Sequence, residues 1–375
     1  MTKVIVPPAT IGIVGGGQLG RMLVLAAKAM GYTVGVLDPT PQAPAGQVAD
    51  FQVTADFADT AALERLARAS DVLTYEFENV DLAALADAQR FVALPQGTRL
   101  LAITRDRLSE KTFLQEHGIP TAKFASVPND AALIPAIHRV GVPSILKTAT
   151  GGYDGHGQVD ILGFDQLEAA KALAAETPCI LEERLEFRRE LSLMVTRDGS
   201  DRVRCFPIVE NRHAQHILHE TLAPAPGLAP ALAQQINGLA TTIANALDLR
   251  GVLGIELFES TTGIVVNELA PRPHNSGHYS IEACNLSQFA AHILSICGLP
   301  LPPITLNTSA VMRNLLGTDL ATARLAWPKH PEWHLHDYGK AEARPGRKMG
   351  HITVCGGTLE ARLKAVAFKE DNCEN

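Results

Sequence analysis

Residues 11–22, IGIVGGGQLGRM, run an apolar strand through a glycine turn into a helix. That order confines the N-terminal region to a parallel strand–helix–strand fold. Gly15, Gly17 and Gly20 fit G-x-G-x-x-G, the spacing that lets a backbone turn approach a phosphate closely. A second apolar strand, YTVGVLD (32–38), ends in Asp38, near the acid that dinucleotide-binding folds use to hold a ribose. Taken alone, the stretch makes a nicotinamide or flavin dehydrogenase the first expectation. The rhythm continues with a strand at 50–54, a helix at 60–70, a strand at 71–78 and a helix at 81–90. A parallel sheet of this kind carries its ligand crevice at the carboxyl ends of the strands. Gln18, Leu19 and Glu76 fall at that edge.

The chain has 375 residues, too many for one ordinary core, so two or three domains are expected. Its net charge of −7 argues against a nucleic-acid backbone or an anionic membrane as the main partner. A small anionic substrate would need a local basic pocket. No apolar run approaches the ~20 residues of a membrane span, and the N-terminus lacks a signal-peptide cleavage pattern. The six cysteines are scattered with no C-x-x-C pair, which reads as free thiols in a cytoplasmic protein.

The most informative stretch is ILKTATGGYDGHGQV, 145–159. Lys147 ends an apolar strand, and Gly151, Gly152, Gly155 and Gly157 crowd the loop that follows. Such a loop can fold its amides around phosphate oxygens, with the lysine as a point charge beside them. It is not a Walker A loop, and glycine spacing alone equally allows an ordinary hairpin. Downstream, GVLGIELFESTTGIVVNELAPR (251–272) is two apolar strands around an STTG turn. Counting outward from the turn sets Glu256 nearly opposite Glu268. Two such carboxylates are costly unless a cation lies between them, and hard oxygen ligands suit Mg²⁺. Asn267 adds a neutral oxygen.

Two histidine groups, HAQHILH (His213, His216, His219) and HNSGH (His274, His278), invite a zinc reading. Pro271 and Pro273 keep the second off a helix, and the first lacks an acidic partner in sequence, so contact with a nucleotide or substrate is the better reading. The rigid turn APRPHNSGH would present Arg272, His274, Asn275 and Ser276 together to an anionic ligand. Near the C-terminus, YGKAEARPGRKMGHIT (338–353) concentrates Lys340, Arg347 and Lys348 around a Pro-Gly turn, which favours a shaped, ligand-contacting loop over a solvated charge run.

These pieces in this order resemble the ATP-grasp superfamily, and within it the N5-carboxyaminoimidazole ribonucleotide synthetases. The matching stretches are GIVGGGQLGRM, TYEFENV, RDRLSEK, LKTATGGYDGHGQ, ENRHAQHIL, GIELF with VNELAPRPHNSGHYSIEAC, SQFAAHI and PGRKMGHIT, spread from residue 12 to 353. The resemblance implies an α/β, ATP-grasp fold: a Rossmann-like pre-grasp domain at 1–105, an ATP-grasp domain at 106–300 with a mobile lid at about 120–185, and a small β-rich C-terminal domain at 301–375. It implies that Arg107, Lys147 and the loop Gly152, Tyr153, Asp154, Gly155, His156, Gly157 and Gln158 hold the ATP phosphates. Glu182, Glu183, Arg184 and Leu185 would receive the adenine, Glu190 the ribose, and His213 and Asn267 would border the nucleotide. Glu256 and Glu268 match the family's Mg²⁺ ligands. Gln18, Leu19, Glu76, Tyr153, Asp154, Arg272, His274, Asn275, Ser276, Lys340, Arg347 and Lys348 would line the site for 5-aminoimidazole ribonucleotide and bicarbonate, with Tyr153, Arg272 and Lys340 nearest the chemistry.

The implied reaction is an ADP-forming carboxylation of the ribonucleotide through carboxyphosphate, by a homodimer. One departure is His156, where the family leads us to expect Arg or Lys; a titratable group there would make activity more sensitive to pH. Three rivals are weaker. A dehydrogenase explains only residues 11–38. A formate-dependent glycinamide ribonucleotide transformylase would not carry GGYDGHG with APRPHNSGH. A non-catalytic sensor would be expected to have lost Lys147 or one of the paired glutamates.

Overall fold

The computed structural model describes residues 3–151 and 157–367. Four short apolar runs form the first sheet: β1 (Thr10–Val14), β2 (Thr33–Asp38), β3 (Phe51–Thr54) and β4 (Val72–Tyr75), all parallel in the order β3-β2-β1-β4. The strand expected over 71–78 stops at Tyr75, because its neighbour β1 ends at Val14 and offers nothing further to pair with. Helices Thr60–Arg68 and Leu82–Ala88 cover one face through Leu63, Leu66 and Leu85. The other face is covered by helix Gln18–Ala29 and by Phe289, Ile293 and Ile296 of a distant helix, Gln288–Ile296. Each such buried side chain contributes about 2 kcal/mol, so the first sheet shares its core with the middle of the chain.

The glycine turn between β1 and helix Gln18–Ala29 is held by two carboxylates. Asp38 accepts the amides of Gly16 and Thr40, each at 2.8 Å, and Glu76 accepts the amide of Gly17 at 2.8 Å. Gly15 has φ of +108°, and a Cβ there would lie 2.7 Å from Glu76 Cγ. The dehydrogenase expectation is thereby corrected. Two of the amides a dinucleotide phosphate would need are already taken, and Asp38 serves the loop itself rather than a ribose.

A second sheet is wholly antiparallel. It comprises β5 (Phe124–Val127), β6 (Ser144–Thr148), β7 (Gln158–Ile161) and β8 (Cys179–Glu183), in the order β5-β8-β6-β7. Helices Leu133–Val140 and Leu167–Glu176 close its core with Leu133, Ala136, Ala170 and Ala174.

The third sheet has nine strands: β9 (Phe187–Arg197), β10 (Val203–Cys205), β11 (Val209–Ala214), β12 (Ile217–Ala223), β13 (Val252–Ser260), β14 (Gly263–Ala270), β15 (Ala310–Leu316), β16 (His334–Asp337) and β17 (Lys348–Cys355). The order is β14-β13-β9-β11-β12-β15-β17-β16, with β10 beside β9. The apolar run RCFPIVEN (204–211) is divided between β10 and β11, since Pro207 interrupts it and has no amide to give a ladder. Pairing of β12 with β15 carries the sheet across the proline-rich stretch expected to divide the chain near residue 300. Helix Pro230–Ala246 buries Ile236, Ala240 and Ile243 against this sheet, along with Phe113 and Leu114 of helix Arg107–Glu116. Among the described residues, five cysteines are unbridged and no helix is long and apolar enough to cross a membrane.

Replacing Asp38 with Ala strands two amides, one of them fully enclosed, and should destabilise the fold by about 2 kcal/mol. Urea unfolding with Asp38→Asn as a partial rescue measures this; unchanged stability in Asp38→Ala would show that the loop is held otherwise.

Candidate active site

The hairpin of β13 and β14 sets Glu256 opposite Glu268, with a bulge between Glu256 and Leu257 that leaves Asn267 as the extra residue. Directly opposed residues project to the same face, and the bulge turns Asn267 toward the pair. Asn267 Nδ2 lies 3.5 Å from Glu256 Oε2. Glu268 is exposed and Glu256 half-buried. Burial, then the charges of Glu268 and Glu190, push the Glu256 carboxyl up to about 8. The hard oxygens of Glu256, Glu268 and Asn267 and the unrelieved repulsion fit a small divalent cation. Among the described residues, no group of three His, Cys, Asp or Glu side chains forms a denser metal site.

Beside the hairpin lies a row of alternating charges. Asp106 caps helix Arg107–Glu116 by accepting the Ser109 amide at 2.7 Å, and the helix buries Glu110 and Lys111 on one side. Lys111 Nζ reaches the Asn267 carbonyl at 2.5 Å and Glu182 at 3.7 Å. Lys147 meets the same Glu182 oxygen at 3.2 Å. Burial works against the Glu182 charge, but Lys111 and Lys147 hold its carboxyl below the usual range. Burial dominates at Glu110, whose carboxyl rises to about 8 despite Lys111. Arg107 donates its amide to Ala149 O at 2.9 Å and its guanidinium to Thr148 O at 3.4 Å. Arg107 and Lys147 thus flank the chain where it enters the second glycine loop, and Gln158 pairs with Lys147 on its return. Gly157 accepts the Thr148 amide at 2.9 Å. Gly152, Tyr153, Asp154, Gly155 and His156 lie outside the described residues.

The segment expected to receive the adenine is already engaged within the protein. Glu182 turns its side chain to the lysines. The Glu183 amide goes to Lys123 O at 2.8 Å, and the Arg184 amide to Pro143 O at 3.0 Å. The Arg184 guanidinium faces Asp160 at 3.5 Å. These groups are committed within the sheet, so recognition there would fall to carbonyls and to Leu185, just past the strand end. Glu190 and His213 come together, with His213 Nδ1 2.9 Å from Glu190 Oε2. The acidic partner that HAQHILH lacks in sequence is supplied by β9. Gln215 and His216, both at positive φ, form the turn between β11 and β12, which is not a zinc-binding helix.

On the other side of the hairpin, Arg272 forms a close ion pair with Glu78 and also feels Glu76 and Glu268. Burial lifts the Glu76 carboxyl to about 7, against the pull of the Gly17 amide and Arg272. Lys340 donates to Lys348 O at 2.6 Å. Burial, then Arg347, lowers its ammonium to about 8, while Glu76 opposes the shift. His274 Nε2 lies 3.2 Å from Glu256 Oε1, and burial, followed by Arg272 and Lys348, keeps this ring neutral, well below the usual histidine range. The Asn275 amide nitrogen finds no acceptor among the described residues. Gln18 opens its helix and is half-exposed at the mouth.

Two expected ligand contacts are corrected. Leu19 packs its side chain into the core beneath the first sheet, leaving only its backbone at the helix start. Ser276 is fully buried, with its hydroxyl taken up between His274 and Ser192.

Sequence reasoning missed Glu78, Glu110, Lys111 and Gln288. The first three sit inside quoted stretches, TYEFENV and RDRLSEK, and Glu110 and Lys111 follow Arg107 by one helical turn. Gln288 lies in the quoted stretch SQFAAHI, where a lone amide at the start of an apolar helix gave no sign of its role. Its side chain accepts the His274 amide at 2.9 Å and donates to His274 O at 2.8 Å and His278 Nδ1 at 3.0 Å, pinning the turn from behind.

Comparison with known proteins agrees with this arrangement. Residues 8–105 match the ribonucleotide synthetase preATP-grasp domain, 112–289 the ATP-grasp domain and 310–365 the phosphoribosylaminoimidazole carboxylase C-terminal domain. The chain is 44% identical over 352 residues to the N5-carboxyaminoimidazole ribonucleotide synthase of Bacillus subtilis, covering 94% of this chain and 92% of the relative. A solved ADP complex of an N5-carboxyaminoimidazole ribonucleotide synthetase superposes with a TM-score of 0.94 at 44% identity, over 97% of each chain. The Aspergillus clavatus enzyme, solved with ADP and 5-aminoimidazole ribonucleotide, gives a TM-score of 0.89 at 33% identity over 96% of each. With the three component domains in order and likeness along nearly the whole of both chains, this chain belongs to the N5-carboxyaminoimidazole ribonucleotide synthase family.

Proposed function

We propose that the site described above carries out the family's reaction with bicarbonate as the carbon source. The protein is an ADP-forming ligase of purine biosynthesis that carboxylates 5-aminoimidazole ribonucleotide at the expense of ATP. The observation that carries the residue assignment is the meeting of the Glu256 and Glu268 pair with two basic groups, Arg107 and Lys147 on one side and Arg272, Lys340, Arg347 and Lys348 on the other. One side suits a polyphosphate and the other a ribonucleotide phosphate. Relatives solved with ADP, and with ADP plus the ribonucleotide, support both guests.

In this reading residues 1–105 bind the ribonucleotide edge, 106–300 bind ATP with 120–185 closing over it, and 301–375 supply the basic loop. A bicarbonate oxygen attacks the γ-phosphorus, the bond to the β-phosphate oxygen breaks, and ADP and carboxyphosphate result. The exocyclic amine then attacks the carboxyl carbon, or CO₂ released from it; phosphate leaves, the amine loses a proton, and the N5-carbamate forms. Arg107 and Lys147 bind and orient the phosphates, Glu190 holds the ribose, and Arg272 with Lys340 draws the bicarbonate and ribonucleotide anions together. Glu256 and Glu268, with Asn267, would hold Mg²⁺, which when bound offsets the charge on the transferring phosphoryl group. Exclusion of water protects carboxyphosphate. Unbridged thiols fit a cytoplasmic setting, and a homodimer is the expected assembly; a monomer mass by light scattering would remove that last point.

ADP release measured with Mg²⁺ and bicarbonate should rise sharply when 5-aminoimidazole ribonucleotide is added, and a rate indifferent to it would sink the assignment. Glu268→Gln should cut turnover by roughly 10²- to 10³-fold, the scale of several kcal/mol of lost charge stabilisation, with the folded state intact by circular dichroism. Retained Mg²⁺-dependent turnover would count against the hairpin as the cation site.

Lys340 supplies a pH test. Its folded value is lowered to about 8, so the ammonium is charged below that pH and neutral above it. KM for the anionic ribonucleotide should therefore climb as pH rises through about 8, and Lys340→Arg, charged throughout, should flatten that climb. A climb of equal steepness in the arginine variant would assign the titration to another group.

A further inference from the structure

The turn that carries His274 is tied to a file of buried polar side chains that none of the roles above employs. Ser276 Oγ lies 2.8 Å from His274 Nδ1 and 2.7 Å from Ser192 Oγ. Asn211 Nδ2 is 2.9 Å from Ser192 Oγ, and Thr221 Oγ1 is 3.1 Å from Asn211 Oδ1. Ser192 stands on β9, Asn211 on β11 and Thr221 on β12, so the file crosses three neighbouring strands. Ser192, Thr221 and Ser276 are fully buried and Asn211 nearly so. In such surroundings each polar hydrogen needs an acceptor within the file.

The direction of the file is set from one end. The Ser276 amide also points at His274 Nδ1, at 3.4 Å, and an amide can only donate. At that length it favours an acceptor there without holding the ring, which falls to the hydroxyl at 2.8 Å. His274 Nδ1 is therefore an acceptor and carries no proton. The Ser276 hydroxyl gives its one proton to Nδ1 and must accept from Ser192. Ser192 in turn accepts from Asn211 Nδ2, and Asn211 Oδ1 accepts from Thr221. Reversing the whole file would set a ring hydrogen against the Ser276 amide hydrogen, and reversing a single link would leave one contact with two hydrogens or with none. The remaining ring proton sits on Nε2, 3.2 Å from Glu256 Oε1.

We propose that Thr221, Asn211, Ser192 and Ser276 are positioning residues that lock His274 in its Nε2–H tautomer, so that it meets the reacting groups as a hydrogen-bond donor and not as a base. The functional part rests on the carboxylation reading above. A ring held this way neither ligates a cation through Nε2 nor takes a proton from bicarbonate or the ribonucleotide amine. It donates to Glu256, and it stabilises negative charge that grows on an oxygen brought beside that carboxylate. The logic is that of a preorganised dipole: the donor is aimed before the charge develops, so no reorientation is needed during reaction.

Nitrogen-15 NMR of histidine-labelled protein tests this, with the His274 signals assigned by their loss in His274→Gln. The wild-type ring should show a protonated Nε2 and an unprotonated Nδ1. Ser276→Ala and Asn211→Leu should each let the Nδ1-protonated form appear. Each should also lower kcat by roughly 10- to 100-fold, as for groups that orient a reacting side chain, with KM for ATP little changed. A purely structural file would lower stability and leave the tautomer as it was. An Nδ1-protonated ring in the wild-type protein overturns the proposal, and so does a tautomer that survives substitution. If one variant fails to fold, the wild-type spectrum and the other variant still decide. The spectrum needs no substrate, so its outcome is separate from whether the protein carboxylates the ribonucleotide.

Discussion

Glu256 and Glu268 face each other across one hairpin, and their repulsion organises the surroundings. Even with its neighbours in place, the Glu256 carboxyl rises to about 8, through burial first and then the charges of Glu268 and Glu190. The neighbours oppose that rise without cancelling it. His274 donates to one oxygen of Glu256, and Asn267 approaches the other. Lys111 grips the backbone at Asn267, and Arg272 adds positive charge to both glutamates. These donors and cations favour the ionised pair without filling the space between its oxygens, and leave a cation to complete the charge balance. The same charge logic spreads outward, through Lys111 and Lys147 at Glu182 and through Arg272 at Glu78.

Part of this was legible in the sequence for a definite reason. In a hairpin the register follows from the turn, so counting from STTG brought Glu268 to within one residue of facing Glu256. The bulge was not legible from the turn, and it is the bulge that moves the residue facing Glu256 from Asn267 to Glu268 and leaves Asn267 beside the pair. The glycine turn was legible as geometry and misleading as chemistry. Whether its amides are open to a phosphate is decided by Asp38 and Glu76, 22 and 59 residues from the glycines they hold, and no local pattern reports that. Ser276 was misread for a similar reason: a serine in a polar turn looks ligand-facing until β9 supplies the hydroxyl that claims it. Family resemblance named more of the site than spacing did, and the residues it left out are those whose work is to hold others in place.

The domains are stitched together where the chemistry would occur. Helix Gln288–Ile296 buries its apolar face beneath the first sheet, and β12 pairs with β15 so that one sheet passes from the middle region into the C-terminal one. Polar contacts follow the same seams. Gln96 donates to Pro271 O at 3.1 Å, and Thr74 on β4 lies 2.7 Å from His292 Nε2. His292 Nδ1 accepts the Val252 amide at 3.1 Å, which leaves its Nε2–H to donate to Thr74. The Arg272–His278 turn is therefore fixed at its start by the first unit and from behind by Gln288.

That distribution of contacts gives the cleft two unequal walls. The wall made by the first sheet, the hairpin, the turn and the C-terminal loop is joined by shared cores and buried, fully directed hydrogen bonds. The second sheet, β5–β8, has a core of its own. It meets the rest of the site through contacts such as Arg107 to Thr148 and Ala149, Lys111 to Glu182 and the bridge from Thr121 to Val266. A reaction that makes an unstable acyl phosphate needs this asymmetry. The wall that aligns the amine and the carboxylating carbon must not move between the two steps, because misplacement by an ångström forfeits the proximity on which capture depends. The wall over ATP must admit one nucleotide and release another, and a unit with a separate core and few polar ties can do so at small cost in packing. Under the proposed assignment, the fold puts its densest polar wiring behind the groups that would handle the intermediate, and its loosest junction where the nucleotide would enter.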